Sequence, residues 1–481
     1  IKQPRKGAFF MTKHFTYFFL LSFTILNFMV NAQTQIEIIN ADEISFNKNI
    51  NENRQLLIGN VKTKHEDRFL ICDSAYYYAK DNKIEAFNNI HIWQGDTLSL
   101  KGEYLLYHGD SQLAEIHKNI RFTHNNMKLT TEQLNYNFET NEGYFDTRAI
   151  ITNKDKTLSS SKGIYYSNQE KFYFYDNVQI EDDEESIKAD TIYYWLKTEF
   201  ASFKSNGILE NIDFKIQAQN GWIDQIEGNA FLSTKVKMTQ LEDGYIMYAD
   251  TTSLTNKMKE SISYGNTLLL LPFNKDTLYI TSDSIFNNQN TKLLRANNKA
   301  SFKTDVITGK CDSLSFNKKS SFIYLNINPV LWLEEFQLTA DTISLFLNDN
   351  KLEKAYLNKN SFISSKIDSN SFNQISGINM QANFESNELN SINVYGNGES
   401  IYYIQEDKTD EIIGLNKIIC SNMNIIIENM ALKNINFLQK PDATLFPIAE
   451  IKEEQRLLKH YKYHNKEGVL NILQTKNQVH I

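Results

Sequence analysis

An aspartate recurs along the chain in the spacing that would matter most for chemistry. It follows a small or polar residue and precedes alternating apolar ones, as in the segment that begins Ala189-Asp190-Thr191-Ile192. Carboxylates that hydrolyse glycosides work as one pair around the scissile bond, whereas this aspartate returns about every 30 residues. A structural role explains such repetition, with the carboxylate accepting hydrogen bonds from local backbone N–H groups. We expect no catalysis from it.

Other polar clusters do not match a metal site. His108, His117 and His124 are the densest histidines, but their spacing differs from that of zinc ligands. The run Glu181–Glu185 is interpreted as a solvated turn, with calcium binding as the alternative. Asp224 stands where apolar residues are otherwise expected, either to meet a sugar or amine head group or because it lies at a strand edge or bulge. We expect no metal, no cofactor and no enzymatic activity.

The three cysteines are interpreted as small core residues. An odd number cannot pair completely within one secreted chain. Cys72 and Cys311 occupy the place that Ala189 fills in its own repeat, and they are eight repeats apart, which is too far for a disulfide. Cys420 stands in a less regular C-terminal part.

The N-terminal residues predict export. From Met11, a short basic stretch precedes an apolar run over residues 15–30, and Ala32 provides a small residue at a cleavage site. This pattern is typical of a secretory signal peptide. The run is shorter than the about 20 residues that span a membrane, and an uncleaved anchor is the alternative. We interpret residues 1–10 as translated upstream sequence and expect the mature protein in the periplasm, with inner- or outer-membrane association as an option.

Composition favours an ordered β-protein. Of 481 residues, 25 are Tyr and 31 are Phe, but only 5 are Pro and 18 are Gly. Aromatic residues favour strands. The net charge is −8, with both signs interspersed and no basic face in the sequence pattern. Nucleic acid is therefore not an expected partner.

The aspartate marks define an internal repeat, which is the most informative feature for the fold. Eleven copies, counted at the aspartate or the residue in its place, fall 28 to 33 residues apart. The positions are Asp42, Asp73, Gly102, Glu132, Lys162, Asp190, Asn220, Asp250, Asp283, Asp312 and Asp341. This period predicts a stack of similar units that share one core.

Each unit is predicted to contain about three short strands, because apolar and polar residues alternate with a period of two. In the unit 189–219, Lys197–Glu199 and Asn206-Gly207 are predicted turns. Residues two and four places after a mark share one strand face, and we expect them to form an inward apolar row. Members of this row include Phe46, Tyr77, Tyr104, Leu106, Leu134, Tyr136, Ile164, Tyr166, Ile192, Tyr194 and Trp222.

The repeated marks resemble the OstA-like family of periplasmic lipopolysaccharide-transport proteins. The resemblance rests on the Ala-Asp-x-Ile-x-Phe/Tyr marks, on unit endings such as residues 84–92, and on the signal peptide. It covers residues 36–345 well and 346–438 loosely. It implies an all-β, elongated β-jelly roll of stacked antiparallel strands with an apolar groove between two sheets. The row above would then bind the acyl chains of lipopolysaccharide or a related envelope glycolipid.

The resemblance also implies partners. Open sheet edges at the ends of the stack would pair with other lipopolysaccharide-transport proteins, or with a second copy of this chain. Residues 33–438 are predicted to form the elongated roll, regular to about residue 345. Residues 439–481 are predicted to form a cap or a docking tail with a short helix, since residues 448–461 have helical spacing.

Spacing alone leaves a second interpretation open. The same apolar row would pack equally well into a closed, dry core, as in a β-sandwich. The chain would then be a secreted structural or adhesive repeat protein. A β-helix enzyme acting on polysaccharide is disfavoured, because neither its shorter coils nor a clustered acidic site is apparent.

Overall fold

The computed structural model describes residues 34–46, 54–273, 276–317, 319–333, 335–348, 351–385, 388–406, 411–428 and 431–480. The predicted signal peptide and the upstream residues lie outside this set. The described residues form 34 strands joined in one antiparallel sheet, followed by one α-helix. The predicted all-β class, elongated β-jelly roll and short helical tail are confirmed. The helix begins at Glu467, however, and residues 448–461, whose spacing predicted it, contain only short 3-10 turns.

The first third of the chain contains twelve strands. They are β1 (Glu37–Asn40), β2 (Glu43–Phe46), β3 (Arg54–His65), β4 (Arg68–Tyr78), β5 (Lys83–Gln94), β6 (Leu98–His108), β7 (Leu113–His124), β8 (Met127–Asn137), β9 (Glu142–Phe145), β10 (Ala149–Asn153), β11 (Lys156–Ser160) and β12 (Lys162–Tyr166). A short 3-10 turn follows at Ser167–Gln169.

The middle of the chain continues the same pattern. Its strands are β13 (Lys171–Glu181), β14 (Glu185–Trp195), β15 (Phe200–Asn211), β16 (Phe214–Asp224), β17 (Asn229–Gln240), β18 (Ile246–Thr255), β19 (Glu260–Tyr264), β20 (Leu268–Phe273), β21 (Asp276–Thr281), β22 (Ser284–Asn288), β23 (Leu293–Lys303) and β24 (Ile307–Asn317).

The last part contains ten strands and the helix. They are β25 (Phe322–Asn326), β26 (Val330–Leu333), β27 (Phe336–Thr339), β28 (Thr342–Asn348), β29 (Lys351–Lys366), β30 (Phe372–Glu385), β31 (Glu388–Gln405), β32 (Ile412–Glu428), β33 (Ala431–Leu438), β34 (Asp442–Pro447) and α1 (Glu467–His480). Short 3-10 turns occur at Ile448–Glu450 and Glu453–Gln455.

Most long strand pairs have a bulge near their middle, where one of the two strands has an extra residue. In β15 the bulge lies at Ser205 and Asn206, which have φ angles of 60° and 53°. This segment was predicted to be a turn between two short strands, and that prediction is wrong: the chain continues through it as one strand. A bulge adds a residue to one strand of a pair and strengthens its bend, so a single strand can serve both layers of the roll.

The bulges divide the folded sheet into two facing layers. On one side, Ile180 pairs with Ile187, and we call this side the first sheet. On the other side, Ile192 pairs with Phe203, and we call it the second sheet. The alternation of buried side chains resets across the bulge, and inward residues of both sheets belong to one continuous hydrophobic core.

The repeated aspartate supports the bulge. Asn206 Nδ2 donates a hydrogen bond of 2.8 Å to Asp190 Oδ2 on the preceding strand. Equivalent pairs are Asn60–Asp42, Asn89–Asp73, Asn266–Asp250 and Asn360–Asp341, each at 2.9 Å. We expected these carboxylates to accept from local backbone N–H groups. They accept instead from an asparagine in the left-handed region, where asparagine is favoured, so each pair holds a bulge in place.

Three of the eleven marks were assigned one residue away from their true positions. Asn119 Nδ2 donates to the carboxylate of Glu103, so Glu103 takes the aspartate's place and Gly102 does not. Asn177 donates in the same way to Ser161, at 3.3 Å. In most other repeats one buried residue directly precedes the mark, and another follows it by four places. The buried residues of β16, Ala218 and Ile223, therefore place its mark at Gln219. The five marks Glu103, Glu132, Ser161, Asp190 and Gln219 are then each 29 residues apart.

The last segment of the chain packs on the outer face of the first sheet. Gln374 is fully buried; its Nε2 donates to the carbonyl of Arg456 and its Oε1 accepts from the N–H of Leu458, both at 2.8 Å. Gln337 contacts Lys462 and His464 in the same manner. Farther along, Val469 and Leu473 of α1 pack against Val330 and Trp332.

Candidate functional site

Five residues of the predicted inward row lie inside the roll. Tyr77, Leu134, Tyr136, Ile192 and Tyr194 are each at most 7% exposed. Burial raises the pKa of Tyr77, Tyr136 and Tyr194, because the phenolate would lose its hydration. Their hydroxyls still have partners: the carbonyl of Ile36, the hydroxyl of Ser167 and the amide of Gln225.

Five other residues of the row point outward, and their predicted inward placement is wrong. A slip of one residue moves every side chain of a strand to the opposite face, and the three misassigned marks cause such slips. The outward residues are Tyr104, Leu106, Ile164, Tyr166 and Trp222. Their chain neighbours Leu105, Tyr107, Tyr165 and Ile223 take the inward positions.

Phe46 is also not part of the closed interior. It is 51% exposed and lies on β2, which pairs only with β3 within the described residues. The strand is therefore at the end of the roll, where a preceding unit would be needed to cover its apolar side chains. Ile44 on the same strand is 54% exposed for the same reason.

The two sheets meet along the side opposite the bulges, at a line of contacts that we call the seam. Each contact joins a turn of the first sheet to a turn of the second. The bridges are Arg68–Gln112 (2.7 Å), Asn125–Glu170 (2.6 Å), Lys154–Glu199 (2.6 Å), Glu185–Gln225, Asp213–Lys259 and Glu242–Lys292 (2.8 Å). Polar side chains rather than backbone hydrogen bonds therefore close this side of the roll.

Two buried histidine–tyrosine pairs lie just inside the seam. His65 Nδ1 and the hydroxyl of Tyr107 are 2.7 Å apart, and so are His124 Nδ1 and the hydroxyl of Tyr165. Burial lowers the pKa of His124 and raises that of Tyr107 to about 12. The Tyr107 hydroxyl therefore stays protonated at neutral pH, and both hydrogen-bonded contacts extend the polar closure into the interior.

A cavity opens between the sheets farther along the roll, beyond the bridges of the seam. Its volume is about 300 Å³. Ile363 and Ile375 contribute from the first sheet, and Ile392, Ile425 and Ile427 from the second. Glu335 and Lys366 lie at its polar rim. The arrangement suits a ligand with an apolar body, since such pockets are mostly apolar with a few polar groups.

One polar group inside this cavity has no partner. Ser400 is 1% exposed, and its hydroxyl makes no hydrogen bond to any other described residue. A buried hydroxyl without a partner costs free energy. The hydroxyl of Ser400 is therefore available to a polar group of a bound molecule.

The cavity residues were missed in the sequence. The repeat loosens beyond residue 345, and no mark identifies the strands there. The alternation Ile425-Ile427 and Ile392-Val394 was the available signal, because residues two apart share a strand face. The separation of the sheets at this point depends on packing between distant strands, which alternation does not encode.

The polar clusters take structural positions. Asp224 lies at the end of β16 and accepts a hydrogen bond of 3.1 Å from the N–H of Glu227. Asp182 accepts from the N–H groups of Glu184 and Glu185 at 2.8 and 2.9 Å, which makes the acidic run a turn. In the part of the chain that the structure describes, no group of three or more His, Cys, Asp or Glu could hold a metal ion.

The three cysteines are free and buried. Burial raises the pKa of the Cys72 and Cys311 thiols to about 12. The thiols consequently stay protonated at neutral pH. Cys72 and Cys311 are each only 5% exposed, which agrees with their interpretation as small core residues. Among the described helices, α1 included, none is long and apolar enough to cross a membrane.

Comparison with known proteins finds a family match for part of the chain. No curated protein matches it. Among solved structures, it is similar to LptH, the LptA-homologous periplasmic component of the lipopolysaccharide transport device of Pseudomonas aeruginosa. The identity is 14% and the TM-score 0.22, over 24% of this chain and 82% of that one. A family model of OstA-like proteins matches residues 33–190. Residues 33–190 are therefore similar to OstA-like proteins, which confirms the resemblance that the marks indicated for this part of the chain.

Proposed function

We propose that the protein is a periplasmic, lipid-binding component of lipopolysaccharide transport to the outer membrane. The observation that carries the proposal is the cavity of about 300 Å³ lined by isoleucines of both sheets. Its occupant would be an acyl chain of lipopolysaccharide or a related envelope glycolipid. The OstA-like repeats of residues 33–190 support this class of cargo.

The driving force for binding is the removal of apolar surface from water. Each Å² of apolar surface buried contributes about 25 cal/mol, and no specific polar contact is needed along the chain of the lipid. Ser400 and the rim residues Glu335 and Lys366 would then orient the polar end of the ligand. The apolar lining would thus bind the acyl chain, and the Ser400 hydroxyl, which has no partner among the described residues, would contact the polar end.

Lipid would move along the roll through the interior that the seam closes. The bridges of the seam are side-chain contacts at turns, and Lys154 is 57% exposed. Exposed pairs contribute about 0–1 kcal/mol each, whereas the bridges of the seam include buried members such as Arg68, at 4% exposed. The sheets would part at the seam by breaking these side-chain contacts, without breaking backbone pairing. Tyr77, Leu134, Tyr136, Ile192 and Tyr194 would line the opened path.

The ends of the roll support assembly by strand addition. Ile39 and Ile44 are 48% and 54% exposed at one end, and Leu438 and Leu445 are 47% and 62% exposed at the other. Open edges pair readily with another strand. Other lipopolysaccharide-transport proteins, or further copies of this chain, would extend the conduit there.

A second candidate is a structural or adhesive repeat protein. The observation that favours it is the tight closure of the core before the cavity, where residues such as Leu57, Ile116 and Phe172 are 0% exposed. A dry core of this kind would give an elongated rod with no cargo. The two candidates differ in whether lipid reaches the inner faces.

Photocrosslinking in cells distinguishes the candidates. A photoreactive residue replaces Ile392 or Ile425 at the cavity wall, and matched variants carry it at the neighbouring outward residues Asn393 and Asn424. Transport predicts adducts that react with antibodies to lipopolysaccharide at the first two positions only. Absence of adducts at Ile392 and Ile425 in a folded, exported protein would favour the structural rod.

A further inference from the structure

The outer face of the first sheet over its first strands carries a regular array of side chains, which we call the cationic face. Two rows of directly paired residues cross β3, β4, β5, β6, β7, β8 and β10. One row is Lys62, Ile71, His91, Lys101, Arg121, Thr130 and Ile150; the other is Lys64, Phe69, Trp93, Ser99, Thr123, Lys128 and Thr152.

Charge is segregated on this face. Five of its fourteen side chains are Lys or Arg and none is acidic, although the whole chain has a net charge of −8. The outer face of the second sheet on the same strands carries Glu85 and Glu115. Acidic residues border the array: Glu37 on strand β1 is paired with Lys64, and Glu103 and Glu132 lie at the bulge side.

Two of the cations oppose each other directly. Lys101 and Arg121 are paired across β6 and β7, both are exposed, and neither has an ion-pair partner among the described residues. Like charges in this relationship destabilise a sheet. Lys101 also lowers the pKa of His91, second in effect to burial. Within the two rows of the array, no acidic side chain offsets this repulsion between Lys101 and Arg121.

Aromatic and apolar groups accompany the cations. The rings of Phe69 and Trp93 stack with centroids 5.4 Å apart, and Nζ of Lys62 lies 5.4 Å from the Phe69 ring. Ile71 and Ile150 are 37% and 44% exposed. Tryptophan and lysine together are typical of surfaces that meet the boundary between lipid head groups and acyl chains.

We propose that the cationic face docks on an anionic lipid membrane surface. Seven strands about 4.8 Å apart make the face about 30 Å wide, and its cations are spread over this width rather than converging on one point. Such spacing fits a layer of anionic head groups better than a single small anion. At the bulge border Arg148 adds a cation, while Glu103 and Glu132 limit the face on that side.

Vesicle sedimentation with the full chain tests the proposal. Vesicles of phosphatidylcholine with phosphatidylglycerol are compared with vesicles of phosphatidylcholine alone. The variant Lys101→Thr/Arg121→Thr should bind the anionic vesicles about 25-fold more weakly, because each cation near such a surface contributes about fivefold in affinity. The control Arg54→Thr/Lys83→Thr removes the same charge from the outer face of the second sheet and should bind like the parent.

Each outcome of the vesicle experiment either supports or overturns docking of the cationic face on an anionic membrane. Equal binding to neutral and anionic vesicles, or equal loss in both variants, would overturn the proposal. Dextran sulfate is added as a soluble polyanion in a parallel titration; binding to it without binding to vesicles would assign the face to a soluble polyanion instead. Circular dichroism confirms that the variants are folded. The outcome is independent of whether the interior carries lipid.

Discussion

Nζ of Lys154 donates a hydrogen bond of 2.6 Å to Oε1 of Glu199, and this contact joins a turn of the first sheet to a turn of the second. If cargo passes between the sheets, a fixed seam should stop it. We predict that Lys154→Cys/Glu199→Cys, crosslinked with a short bis-maleimide, loses lipid loading while the uncrosslinked double variant retains it.

A matched pair controls for the crosslink. Asp67 and Gln94 are also joined, at 2.9 Å, but both belong to turns of the first sheet. Crosslinked Asp67→Cys/Gln94→Cys should therefore load lipid normally. Mass spectrometry of lipid extracted from the purified proteins measures the loading. Normal loading through the crosslinked Lys154–Glu199 pair would contradict passage through the seam there.

The corrected position of the mark in β16 predicts that substitutions of two adjacent residues lower the free energy of unfolding by very different amounts. Ile223 is 0% exposed and Trp222 is 38% exposed. Ile223→Ala should lower the free energy of unfolding by about 2–5 kcal/mol, as for other buried isoleucines. Trp222→Ala should lower it by much less. Urea denaturation of both variants measures the difference, and the reverse order would restore the original assignment.

The Asp190–Asn206 hydrogen bond should contribute measurably to stability. Asn206→Gly keeps a residue that accepts the φ of 53° but removes the amide donor. We expect a coupling free energy of about 0.5–1.5 kcal/mol between Asn206→Gly and Asp190→Ala in a double-mutant cycle. A coupling indistinguishable from zero would mean that the bulge is held by its backbone alone.

The buried amide of Gln374 should hold the tail on the first sheet. Gln374→Ala leaves the carbonyl of Arg456 and the N–H of Leu458 without their partner, at a cost of about 1–3 kcal/mol. We predict faster proteolysis between residues 451 and 466. Gln381→Ala is the control, because Gln381 lies on the same strand and donates only to Asn383. Equal proteolysis of both variants would contradict this role.

Alkaline pH should destabilise the protein through its buried thiols. Burial raises the pKa of Cys72 and Cys311 from 9.0 to about 12 in the folded chain. Below pH 9 both states are protonated and the full stability is present. As the pH rises toward 12, the unfolded chain ionises first, so stability falls by up to about 1.4 kcal/mol per pH unit for each thiol.

A variant that lacks Cys72 and Cys311 but keeps Cys420 measures this contribution. Cys72→Ala/Cys311→Ala removes both thiols, and alanine already fills the equivalent place at Ala189. Its urea midpoint should fall less steeply than that of the parent between about pH 8 and about pH 11. Parallel curves would show that other groups, such as Tyr107, cause the alkaline loss.

The fold class could be predicted from the local sequence pattern. Which face of each strand points inward could not be predicted for every strand. Alternation and the aspartate marks predicted stacked antiparallel strands, and those marks are correct at Asp73 and Asp190. The errors at Gly102, Lys162 and Asn220 arose because Glu, Ser and Gln replace the aspartate there. The asparagine that follows Glu103 and Ser161 by 16 residues would have located both marks.

The candidate site was less accessible for a different reason. The partners in the seam are 40 to 50 residues apart in the chain, as in Gln225–Glu185 and Lys292–Glu242. Only the register of intervening strands brings them together. The cavity at Ile392 and Ile425 depends on how far two layers separate, and this is a property of the packed molecule rather than of any one segment.

Because the roll consists of similar hairpins, each with a bulge near its middle, its length can change by whole hairpins. Each step consists of one hairpin, and in several repeats an Asp–Asn hydrogen bond supports its bulge. Because repeats of such a stack contact mainly their neighbours, one can be duplicated or deleted without altering the two ends. A genetic event of 29 residues would change the reach of the protein by two strands, or about 10 Å. Proteins built from this repeat can therefore differ in hairpin number while keeping the same terminal surfaces.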